Sequence, residues 1–110
     1  MSIDTAVIRG TLDLLILRVL TLEPMHGWGI SERIQSLSRE ALKAQQGSLY
    51  ASLHRLTREG WIRSYWQDTD SGRRARYYAL TRAGERQVAV ETEHWLRLSS
   101  GVGRVIALTA

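Results

Sequence analysis

The chain has 110 residues, a net charge of +4, a pI near 10.1 and no cysteine. That length fits a single domain, the absence of cysteine excludes disulfides and thiol chemistry, and the basic balance points to an anionic partner. The excess charge is local: residues 54–86 hold eight arginines against four acids, while residues 1–53 and 87–110 are each balanced.

The first helix is expected from about Arg9 to Leu22. Leu12, Leu15, Ile16, Val19 and Leu20 repeat at helical spacing, and Leu14 and Leu17 fall off that stripe, so the helix should be covered on two sides. Asp13 and Arg18 interrupt this apolar run, which is also too short to cross a bilayer; neither a membrane segment nor a signal peptide is expected. Glu23-Pro24 stops the helix, because a residue before proline is pushed out of the helical region. A second helix, about Gly27 to Ser38, should turn Ile30, Ile34 and Leu37 inward. Gly27 and Gly29 flank Trp28 without the third glycine of a dinucleotide fingerprint, so close approach or turn geometry is their better reading.

The third helix is expected from about Gln46 to Glu59. Leu49, Leu53 and Leu56 face the core, and Ser48, Ala51, Ser52, Arg55 and Arg58 fall on the outer face. Small residues there let the helix approach a surface closely. Gly60 ends it as a C-terminal glycine. Two aromatic-rich strands follow, Trp61 to Gln67 and Arg74 to Leu80, joined by a hairpin loop over residues 68–73. Thr81 is a plausible N-cap for a last helix of about 28 residues, roughly 42 Å long. Val88, Trp95 and Val102 recur every seven residues in it, with Leu98 and Val105 three further on. This a/d seam favours a two-fold dimer over packing within one subunit. Gly101 and Gly103 mark close helix contact or fraying. The fold class is therefore mainly α with a small two-stranded β wing: a winged helix-turn-helix over residues 1–80 and a dimerisation helix over 81–110.

The chain resembles the PadR-like winged-helix transcriptional regulators, in particular the small members with a single C-terminal helix. The residues that carry the likeness are Arg9-Gly10-Thr11-Leu12-Asp13-Leu14-Leu15-Ile16-Leu17, Pro24-Met25-His26-Gly27-Trp28-Gly29-Ile30 and Gln46-Gly47-Ser48-Leu49-Tyr50-Ala51-Ser52-Leu53-His54-Arg55-Leu56. Gly60-Trp61-Ile62, the run from Gly72 to Thr81, and Gly84 complete the ordered set. Trp28 stands where the family usually has Tyr, and Gln45-Gln46 stands where many relatives have Ser-Pro. The resemblance implies a homodimeric cytoplasmic repressor that binds a pseudo-palindromic operator in double-stranded DNA. It also implies release by a small aromatic effector.

Assigned residue by residue on that resemblance, the base-reading candidates are Gln46, Ser48, Ala51 and Arg55. Arginine can pair with guanine, glutamine with adenine, and alanine can touch a thymine methyl. Tyr50 is either a phosphate contact or an aromatic packed between helices with its hydroxyl wet. Arg73, Arg74 and Arg76 match the basic wing. Arg73 is open to backbone or minor-groove contact, and Arg76 could instead pair with Glu85. Val88, Trp95, Leu98 and Val102 form the dimer interface, where two indoles either wall a slot for a flat aromatic or simply pack together.

His26, His54 and His94 lie 28 and 40 residues apart with no cysteine, so no metal and no cofactor are expected. No Ser-His-Asp set, paired carboxylates or phosphate loop stands out, so an enzyme is not expected. The rival reading is a winged-helix protein–protein interaction module without DNA binding; the arginines at 55, 58, 73, 74 and 76 argue against it.

Overall fold

The computed structural model describes residues 3–108, with side chains from Thr11 onward, so the Arg9 side chain lies outside the described residues. The elements run β1 (Ile3–Asp4), α1 (Thr5–Leu20), β2 (Met25–His26), α2 (Gly27–Leu37), β3 (Leu42–Lys43), α3 (Gln46–Arg58), β4 (Ile62–Asp68), β5 (Arg74–Leu80) and α4 (Arg82–Ile106). All four helices and both long strands expected from the sequence are present.

The core forms where α1 meets α2, α3 and the sheet. Leu12, Ile16, Leu17, Val19 and Leu20 of α1 are all buried, so this helix is indeed covered on more than one side. It stops at Leu20, two residues before the expected end. The Thr21 hydroxyl donates to the Arg18 carbonyl at 2.6 Å and closes the last turn before Pro24 is reached. Ile30 and Ile34 of α2, Leu49, Leu53 and Leu56 of α3, and Ile62 and Tyr78 of the sheet complete the core.

Three expectations are corrected. Leu37 is 62% exposed instead of inward. It is the last residue of α2, and Arg39 and Glu40 follow with φ of 53° and 67°, turning the chain away before the helix can lay this position on the core. Ser52 is buried at 3% instead of lying on the outer face, and its hydroxyl accepts from Arg55 Nη2 at 3.1 Å. The wing has a third strand: β2 pairs antiparallel with β5, Met25 opposite Tyr78, in a sheet ordered β2-β5-β4. β1 and β3 form a separate two-residue parallel pair.

α3 ends in a paired hydrogen-bond motif. Gly60 has φ +79°, its N–H donates to Thr57 O, and the Trp61 N–H reaches back to Leu56 O. This satisfies carbonyls that the helix end would otherwise orphan. β4 and β5 then pair from Ile62 opposite Leu80 to Asp68 opposite Arg74. Thr81 caps α4 as expected, accepting from Gly84 N at 3.0 Å, and its own hydroxyl donates to Gly60 O. α4 is unbroken through Gly101 and Gly103. Its 25 residues make it about 37 Å long.

Candidate nucleic-acid interface

The outer face of α3 is shallow and polar. Gln46, Gly47 and Ala51 are exposed and Ser48 is half-buried. A depression of about 380 Å³ runs along it, lined by Gly47, Ser48, Ala51, Ser52, Arg55 and Leu12 of α1. Small side chains keep this face low, which is what close approach to a base edge requires.

Arg55 is anchored by the adjacent helix α1. Its Nε and Nη2 donate to the two carboxylate oxygens of Asp13 on α1, at 3.1 and 2.6 Å, and Nη2 also donates to Ser52. The hydrogen bond to Asp13 raises the Arg55 pKa, with burial opposing it. A bidentate pair fixes the plane of the guanidinium and leaves Nη1 for another acceptor. Asp13 reads in the sequence as an interruption of an apolar helix; its pairing with a residue 42 positions on becomes visible only in the fold.

Tyr50 joins α3 to the wing. A Cβ on Gly27 would stand 2.5 Å from the Tyr50 hydroxyl, so any larger residue at the start of α2 would push this ring aside. Close approach is thus the role of Gly27. The ring is packed on one side and exposed on the other, which leaves both readings of Tyr50 compatible with its setting. Between Tyr50, Trp28 and the wing lies a notch of about 430 Å³, into which Arg73, Arg74 and Arg76 also contribute. Trp28 is exposed at its rim and was not among the expected contacts.

The three wing arginines are all exposed. Arg74 and Arg76 share a face, as their spacing requires, and Trp66 lies between them. The Trp66 ring centroid is 5.8 Å from the Arg74 guanidinium carbon and 5.3 Å from that of Arg76. Arg76 therefore has an aromatic neighbour, and the ion pair shown among the described residues is that of Arg55 with Asp13, not Arg76 with Glu85. Arg76 also lies beside the Tyr78 hydroxyl. Burial raises the Tyr78 pKa, and the Arg76 charge partly offsets it.

The expected dimer seam does not behave as one stripe. Val88 is half-buried against the core of its own subunit. Trp95 is 42% exposed and lines a largely apolar groove of about 530 Å³ with Leu14, Leu15 and Arg18 of α1, Leu42 and Thr92. Leu98 and Val102 are exposed. So α1 and the core cover part of this stripe within the subunit. Among the described residues there is no cluster of three or more metal-ligating side chains, and no helix is long and apolar enough to cross a membrane.

Residues 16–90 match the model of the transcriptional regulator PadR-like family. A transcriptional regulator from Clostridium thermocellum has the same fold, with a TM-score of 0.81 and 28% identity over 93% of this chain and 96% of its own. A PadR family transcriptional regulator from Eggerthella lenta is also 28% identical, with a TM-score of 0.76 over 96% of this chain and 89% of its own. An uncharacterized protein from Lysinibacillus sphaericus is 29% identical over 89 residues, which is 81% of this chain and 82% of that one.

Proposed function

The chain belongs to the PadR-like family of transcriptional regulators, which are not enzymes, and from that premise we propose that it is a homodimeric cytoplasmic repressor. It binds a pseudo-palindromic operator in double-stranded DNA and is released by a small aromatic effector. One observation carries the DNA reading. Tyr50 belongs both to α3, whose low face holds Gln46, Ser48, Ala51 and Arg55, and to the notch lined by Arg73, Arg74 and Arg76. That link supports a base-reading helix with a cationic wing beside it. Gln46, Ser48 and Ala51 read base edges, and Arg55 reads with the guanidinium edge that Asp13 leaves open. Tyr50 and the wing arginines hold the backbone.

The effector reading rests on the groove beside Trp95. It offers a flat indole wall and apolar side chains from α1, which suit a planar aromatic. A second subunit packed along α4 would cover its open side.

The test is binding to the DNA upstream of the chain's own gene, followed by footprinting and by a salt series. A dimer using three or four cations per subunit neutralises about six to eight phosphates, so log K should fall with log salt at a slope of roughly −5 to −7. A slope near zero sinks the DNA reading.

A further inference from the structure

The structure assigns Trp66 a role of its own: it is the positioning residue of the wing, holding Arg74 and Arg76 ready for the DNA backbone. This rests on the DNA-binding reading above and goes beyond it, since Trp66 is no base or phosphate reader.

Trp66 lies directly across the ladder from Arg76, and Arg74 is the next residue along β5 on the same face. Nearer the base of the hairpin, this face carries Ile62 and Tyr78 into the core. At Trp66 the core has run out, and the indole is 55% exposed. An aromatic of this size in water gains little by burial. Two guanidiniums lie by its ring, both within the range of a cation–π attraction.

That geometry suits presentation. A guanidinium stacked on a ring uses its flat face, while its N–H donors lie in the plane and stay available at the edge. The ring thus restricts the rotamers of both arginines without consuming the donors that a phosphate needs. Arg76 continues the line to Tyr78 and so toward Tyr50 on α3. The aromatics of the opposite face differ. Tyr65 stacks on Tyr77, which meets His26 edge-on, and that set ties the three strands to one another.

The experiment is a mutant cycle read out as DNA affinity at fixed salt. Trp66→Leu keeps apolar bulk without a π face and should weaken binding by at least about tenfold in a dimer, since it removes four exposed cation–π contacts, each worth roughly a two- to fivefold factor. The loss should be the same for every DNA sequence. Trp66→Tyr, which keeps a ring, should stay within about twofold of wild type. In a chain already carrying Arg74→Ala and Arg76→Ala, Trp66→Leu should cause no further loss. The Arg74 and Arg76 side-chain proton resonances of the free protein should shift upfield under the ring and lose that shift in Trp66→Leu. An undiminished loss in the arginine-free background means that Trp66 touches DNA itself and overturns the proposal. So does equal loss in Trp66→Tyr, or wild-type affinity in Trp66→Leu. Failure of the wild-type chain to bind any DNA is a different result and removes the DNA reading together with this one.

Discussion

Single residues carry constraints here that composition does not show. Gly84 is the sharpest case. A Cβ there would lie 1.9 Å from the Trp61 carbonyl oxygen, which already accepts from the Thr81 N–H. The first turn of α4 is therefore pressed against backbone that cannot rotate aside. Gly84→Ala should cost about 3 kcal/mol or more, at the upper end of overpacking changes, read as a drop in urea midpoint with unchanged slope. Wild-type stability in that variant would show that α4 can tilt away from Trp61. Tyr78 gives a pH prediction. Burial raises its pKa above the ordinary 10.0, so the folded state holds its proton when the unfolded chain has lost it. The stability this contributes is full below pH 10.0 and is lost as pH rises through the higher folded value. Tyr78→Phe should flatten the alkaline fall in stability relative to wild type. Parallel pH curves for the two proteins would refute it.

At the scale of elements, the work is divided, on the proposed function, between α3 and the wing. Arg73→Ala should weaken binding to all sequences alike if, as proposed, the loop tip meets backbone. Gln46→Ala should cost about 1–3 kcal/mol and relax preference at one base pair. Identical sequence profiles for the two variants, measured by selection from a randomised site, would overturn the assignment of reading helix and wing. The same elements show what a sequence can disclose. The third helix with its glycine stop, the hairpin and the Thr81 cap are local devices, encoded within a few residues of where they act, and all were legible. β2 was not, because two residues cannot display alternation; its strand character comes from β5, some 50 positions later. Leu37 kept the helical period but sat at a terminus where the backbone turns away. Arg55 does face solvent as expected, but Ser52 is buried, and the partner that holds Arg55, Asp13, lies on another helix. Trp66 alternated like any strand aromatic, and only the cross-strand register puts two cations on its ring. Site chemistry that depends on register or on helix packing is written in pairs of distant residues, and one sequence does not pair them.

The whole molecule is drawn out, with extents of 59 × 32 × 21 Å, and α4 accounts for much of that asymmetry. Val88 and Gly84 fix its first half to the domain, while from Trp95 onward its large apolar residues stand open: Leu96, Leu98, Val102, Val105 and Ile106. These fall on more than one side of the helix, so a single flat contact would not cover them all. A two-fold partner laid against Trp95, Leu98, Val102 and Val105 would bury that stripe twice over, and burial of one Trp-sized side chain is worth about 2–3 kcal/mol. It would also close the groove between Trp95 and α1. The two copies of α3 should then stand roughly 34 Å apart, one turn of DNA, so that each enters a successive major groove. Trp95→Ala should weaken this dimer and abolish binding of flat aromatics, yet leave the winged domain folded, because Trp95 lies outside the core. Sedimentation at micromolar concentration reads the first part, and a wild-type monomer there would refute the dimer. Quenching of tryptophan fluorescence by planar aromatics reads the second. If saturable quenching persists unchanged in the Trp95→Ala protein, through Trp28, Trp61 or Trp66, the ligand sits elsewhere and the α1–α4 groove is a packing defect that the dimer fills with its own side chains.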